Sequence, residues 1–123
     1  MLKSKPYPKR IRDLMAEKSA VLFKARTLAE MGMHETAMPL WASAAVYEER
    51  LAPLLEAVGR EQEAAVHRIS AASCYQQAAE WSQAVNLYRA ALAGPLPDHT
   101  RADVQRFLAD CLTRLMPARR KDK

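Results

Sequence analysis

Glycine is scarce in this chain, with three in 123 residues, so a turn-rich β-architecture or a phosphate-cradling glycine loop has almost nothing to be built from. Cys74 and Cys111 are too few for a disulfide framework and point to an intracellular, cytoplasmic chain with free thiols. No run of about 18 uncharged apolar residues occurs, which excludes a membrane-spanning helix. The basic start is followed by further charge rather than an apolar block, so no secretory leader is expected. β-branched residues are also few. Ala, Leu, Glu, Arg and Gln, which lose little on entering a helix, take their place.

The length fits one domain. The net charge of +5 is unevenly spread: residues 1–12 carry +5 with no acid, and residues 114–123 carry five cations against Asp122. Nine cations against thirteen acids leave −4 over residues 13–113. This divides the chain into a basic tail over 1–8, a helical domain over 9–116 and a second basic tail over 117–123.

Apolar residues recur at helical spacing. One stripe is Leu14, Met15, Val21, Leu22, Ala25, Leu28 and Ala29, interrupted by Lys18. A second is Trp81, Ala84, Val85, Tyr88, Ala91 and Leu92, closed by Gly94-Pro95. A third is Val104, Phe107, Leu108, Cys111, Leu112 and Leu115, with Thr100 and Asp103 in a capping-box pattern and Pro117 as its stop. Between the first and second lie a helix over Glu35 to Val58, which Pro53 should kink or split, and one over about Glu61 to Ala79. Pro39 fits only in a first turn. The expected fold is all-α, an antiparallel array of about five helices, as an α-solenoid or a helical bundle.

The turns repeat a pattern. Gly32 is followed at +5 by Ala37, at +9 by Trp41 and at +12 and +13 by Ala44 and Ala45. Gly59 is followed at the same offsets by Ala64, Arg68, Ala71 and Ala72, and Ala79 by Ala84, Tyr88, Ala91 and Leu92. Alanines at +5 and +12 share a helix face and let a neighbouring helix approach the backbone closely. Residues 65–95 resemble a tetratricopeptide repeat, a helix–turn–helix unit of about 34 residues. Ala72 and Tyr75 match its first helix, Ala79, Glu80 and Trp81 its turn without the usual glycine, and Ala84, Tyr88 and Ala91 its second helix. Pro95 approximates the closing proline, and a weaker match covers 18–51 through Ala25, Leu28, Gly32, Ala37, Trp41 and Ala44. The repeat alanines step by 27 and then 20 residues, so the resemblance is to the broader tetratricopeptide-like superfamily, including α-SNAP-like arrays, rather than to a regular tandem.

Chemistry-bearing patterns are sparse. His34, His67 and His99 have no ligand at metal spacing, and His67 is expected to pair with Glu63 one helical turn away. Glu48–Glu49 and Glu61–Glu63 read as solvated faces, and Cys74 and Cys111 as small core residues. No cofactor, metal, small-molecule substrate or catalytic residue is expected.

The resemblance implies a non-enzymatic protein-interaction module, a scaffold or adaptor subunit whose partner is a protein, a peptide or a second copy. Candidate partner-binding residues are Trp41, Tyr47, Arg68, Tyr75, Trp81 and Tyr88, against the plainer reading that the aromatics pack the core. Peptide-binding members hold a C-terminal carboxylate with Lys, Asn and Arg; Ile69, Ser73 and Gln77 stand here, so that mode is not expected. The alternative function is non-specific nucleic-acid binding through Lys3, Lys5, Lys9, Arg10, Arg12, Arg114, Arg119, Arg120, Lys121 and Lys123.

Overall fold

The computed structural model describes residues 6–116, all helix and connections. Five helices follow in order: α1 (Lys9–Glu30), α2 (His34–Ala57), α3 (Glu61–Gln77), α4 (Trp81–Leu92) and α5 (Asp98–Leu115). Each packs chiefly on its sequence neighbours, α1 on α2, α2 on α3, α3 on α4 and α4 on α5, which is the all-α array expected from the periodicity. No helix among the described residues is long and apolar enough to cross a membrane.

The repeated turn pattern is a repeated backbone geometry. After α1, Gly32 lies at φ 81°, its N–H donates to the Ala29 carbonyl, and the Met33 N–H reaches back to Leu28. After α2, Gly59 lies at φ 82°, with the same pair of bonds to Glu56 and, from Arg60, to Leu55. After α3, Ala79 stands in that place at φ 60°, bonding Gln76, while Glu80 bonds Tyr75. All three are Schellman caps, which satisfy the last carbonyls of one helix. The next helix then starts with the alanine at +5 donating its N–H to the carbonyl before the first turn, Ala37 to Met33, Ala64 to Arg60 and Ala84 to Glu80.

Ala79 occupies a left-handed conformation that costs an L-residue about 1–2 kcal/mol. Ala79→Gly should therefore stabilise the fold by about 0.5–1 kcal/mol, after allowing for the greater unfolded-state freedom of glycine. Thermal melting should show a rise of a few degrees; a fall would mean that the turn relaxes away from this geometry in solution.

The repeat alanines at +5, +12 and +13 are all buried: Ala37, Ala44, Ala45, Ala64, Ala71, Ala72, Ala84 and Ala91. The larger core cluster joins several of them to Cys74, Tyr75, Val85, Tyr88, Val104 and Cys111. A second cluster ties the start of α1 (Ile11, Leu14) to the end of α2 (Leu51, Ala52, Leu55) and to Ala64.

Three local expectations are corrected. The run with two prolines is one unbroken helix, with Pro39 beyond its first turn and Pro53 in its last third. Both prolines are exposed, as are Glu35 and Glu49 four residues before them, so the carbonyls they leave unpaired lie on the solvent side where water can bond them. Helix α5 starts at Asp98, two residues before Thr100, with Pro97 at its N-cap and no side-chain cap bond. Leu115, assigned to the apolar stripe of α5, is exposed at the helix end. Helix α4 ends at Leu92, just before Gly94-Pro95 as expected, and Arg101 holds that end, its guanidinium donating to the carbonyls of Leu92 at 2.8 Å and Gly94 at 2.9 Å.

Candidate functional site

A buried ionic cluster lies where α1, α2 and α3 meet. Glu48 is 3% exposed, and its two carboxylate oxygens face different helices. His67 Nδ1 on α3 donates to Oε1 at 2.5 Å, and Lys18 Nζ on α1 stands 3.6 Å from Oε2. This replaces the expected pairing of His67 with Glu63, and it removes Glu48 from the solvated face assigned to it. The signal was present: Lys18 interrupts the apolar stripe of α1, and Glu48 falls between Ala44, Ala45 and Leu51, Ala52 on that of α2. Opposite charges on two facing apolar stripes lower each other's cost of burial when they pair. No buried side-chain nitrogen or oxygen among the described residues lacks a hydrogen-bond partner.

The Cys74 thiol shares this interior. Burial, and then the Glu48 charge, push it up to about 11, with Lys18 and Arg26 opposing. Burial also raises Cys111. A thiol at about 11 holds roughly a hundredfold less thiolate than one at 9. Alkylation near neutral pH should therefore be slow for both native cysteines and rapid in urea, with mass spectrometry distinguishing the sites. Fast native labelling of Cys74 would contradict its placement.

Glu63 belongs to a different arrangement at the start of α1. The Tyr7 hydroxyl donates to its Oε1, Arg60 pairs with Oε2 at 2.9 Å, and the Arg60 guanidinium lies 4.3 Å over the Tyr7 ring. The Tyr7 hydrogen bond, aided by Arg60, holds the Glu63 carboxyl below its ordinary range. A carboxyl so lowered stabilises the fold above its unfolded pKa, about 4.3, and loses that contribution as pH falls through its folded value. Because the pair is partly exposed, the effect should stay below about 1 kcal/mol. Glu63→Gln should therefore melt earlier than the wild type at pH 7 and alongside it near pH 2; an unchanged gap would exclude the linkage.

The six aromatic and basic partner candidates do not converge on one surface. Tyr88 is 1% exposed, with its hydroxyl donating to Gln76 at 2.7 Å and its ring 5.9 Å from Phe107. Tyr75 is likewise buried and donates to Glu49 at 2.5 Å. Burial raises both phenols and withdraws both residues from any docking face, correcting that assignment. Trp41 and Trp81 are partly buried against the larger core, with Arg114 5.0 Å over the Trp81 ring. Tyr47 packs on the smaller core and bonds Glu17, which raises its phenol, and Arg68 pairs with Glu56 at 2.6 Å.

Of the basic candidates, Lys9 pairs with Asp13 at 2.8 Å, and Arg10 and Arg12 are exposed. Lys3, Lys5, Arg119, Arg120, Lys121 and Lys123 lie outside the described residues.

The feature that sequence reasoning missed is a groove between α3 and the α4–α5 connection. A depression of about 480 Å³ is lined by Gln62, Val66, Ile69, Pro95, Leu96, Pro97 and Thr100. Val66 is 58% exposed. An adjoining hollow of about 410 Å³ shares Pro95 and contains Glu56, Glu61, Ala65 and Arg68. Glu61 beside Gln62, and Asp98 beside Pro97, meet no cation among the described residues. A largely apolar depression with carboxylates next to two of its lining residues suits an apolar side chain carried beside cations. Two signals could have revealed it. Val66 lies off the alanine stripe of α3, and Leu96 between two prolines is an apolar residue outside any helical stripe.

No group of three His, Cys, Asp or Glu residues able to hold a metal occurs among the described residues. The sequence matches no family model, and neither the curated proteins nor the solved structures contain a match to it.

Proposed function

We propose that this chain is a non-enzymatic, tetratricopeptide-like protein-interaction module that acts in the cytoplasm as a small subunit of a larger complex. The observation that carries the reading is the α3/α4–α5 groove: a depression in which exposed Val66 stands beside Ile69 and Leu96, which are only partly buried against the core. Sequential packing supports it, since helices that touch chiefly their chain neighbours leave extended faces free. The interior charges support it as well, because both oxygens of Glu48 are engaged by Lys18 and His67 rather than turned toward a cleft. The groove's occupant is an apolar segment of a protein, flanked by Lys or Arg that meet Glu61 and Asp98.

Affinity capture from the native host with the wild type and with Val66→Glu tests this reading. The expected result is a protein retained by the wild type, lost from the variant, and bound again as a purified pair. A wild type that returns alone would overturn it. Val66 is exposed, so the substitution should change stability by no more than about 0.5 kcal/mol.

A further inference from the structure

Helix α1 packs chiefly on α2, and its outer face is made of polar and small residues except at one large aromatic side chain. Arg12, Ala16, Ser19, Phe23 and Arg26 follow one another at three- and four-residue spacing on the side away from buried Ile11, Leu14 and Ala25. All five are exposed, and Phe23, at 71%, is the most exposed of the large apolar residues. Arg12, Lys24 and Arg26 make no ion pair among the described residues. Ala16 and Ser19 keep the stripe shallow around the one ring, so another surface can come close to it.

This face is the complement of the groove. One offers an aromatic side chain with cations beside it, and the other an apolar hollow with two unpaired carboxylates beside it. We propose that the outward face of α1 in one copy seats on the α3/α4–α5 groove of a second copy, Phe23 entering the hollow and Lys24 and Arg26 facing Glu61 and Asp98. The proposal rests on the docking reading of the groove and names its occupant. The two faces are different surfaces of one chain, so the contact is head to tail: each copy keeps one face free, and copies add until the ring closes or concentration limits them.

Light scattering on the full chain, with Phe23→Glu and Val66→Glu, tests it. The wild-type mass should rise above 13.8 kDa over about a hundredfold increase in concentration, and fall back as salt screens the charges. Each variant alone should remain at the monomer mass. Mixed, they should form a 1:1 pair that grows no further, because the Phe23→Glu copy keeps its groove and the Val66→Glu copy keeps its α1 face. That complementation separates head-to-tail seating from a symmetric dimer through one face, in which the variant that keeps that face would pair with itself. If either variant fails to fold, Lys24→Glu with Arg26→Glu in one copy and Glu61→Lys with Asp98→Lys in the other replace them: each alone should stay monomeric, and mixed they should co-assemble in alternation beyond a pair, because both contacts are then complementary; a mixture that stays monomeric overturns the proposal.

A wild type that stays monomeric at every concentration overturns the proposal, as does a mixture that fails to associate. A monomeric wild type that still captures a host protein through Val66 removes self-seating and leaves the docking function standing. A monomeric wild type that captures nothing removes both.

Discussion

Replacing Glu48 with alanine should cost the fold about 3–5 kcal/mol, the range for removing one partner of a buried ion pair. The side chain holds an ammonium from α1 and an imidazole from α3 at once, so its loss leaves two polar groups facing a vacated interior. Lys18 and His67 are 17% and 14% exposed, which allows partial escape to water and places the expectation at the lower end. Against a total stability of about 5–15 kcal/mol for a domain of this kind, this is a large fraction. Urea titration should show a lower midpoint at an unchanged slope. The conservative variants divide the effect between the two contacts. In Glu48→Gln the amide oxygen can still accept from His67 Nδ1, while the ammonium loses its counter-charge. Adding Lys18→Met to that variant removes the stranded cation, and the pair should recover at least 1 kcal/mol relative to Glu48→Ala, since apolar replacement of a buried charge is often neutral. An unchanged midpoint for Glu48→Ala would mean that the three helices meet without this cluster.

The same cluster shows where reading the chain succeeds and where it fails. Helix number, order and the alanine faces were legible because they depend on local spacing and on turns of a few residues. Even the irregular third turn was visible, as Ala79 standing where two glycines set the pattern. Pairings between helices were not legible, because two side chains at compatible spacing on one helix are always visible while a partner on another helix is not. His67 was assigned to Glu63 for that reason, although Glu48 lies nineteen residues away in sequence and 2.5 Å away in space. Pro53 does not split its helix, and the cost of a lost N–H depends on which side of the helix it falls: both Pro39 and Pro53 fall on the outside. Aromatic residues were ambiguous in principle: Tyr75 and Tyr88 bury their rings and satisfy their hydroxyls on Glu49 and Gln76, partners that only tertiary packing supplies. The groove stayed hidden because it belongs to no single helix. It is formed where a connection, Pro95 to Pro97, crosses in front of α3.

Ala72→Leu should be the most damaging small change to the packing, at about 1–3 kcal/mol or more for overfilling a closed contact. Ala72 is fully buried, in one cluster with Ala44 and Ala45 of α2 and with Ala84, Val85 and Tyr88 of α4. Three of these five neighbours end at Cβ and cannot rotate aside, so three added carbons must displace helix axes rather than side chains. The cost of moving an axis spreads to both interfaces of α3. Removing the methyl is unfavourable too. Ala72→Gly loses about 1 kcal/mol of helix propensity, along with whatever contact the methyl makes. Stability should therefore peak at alanine and fall on both sides, whereas Ala109→Leu, on an exposed position of α5, should change it by no more than about 0.5 kcal/mol. Urea midpoints for the four chains decide the matter. If Ala72→Leu melts with the wild type, the helices are farther apart than close-packed alanine faces require, and the repeated small residues lose their physical explanation.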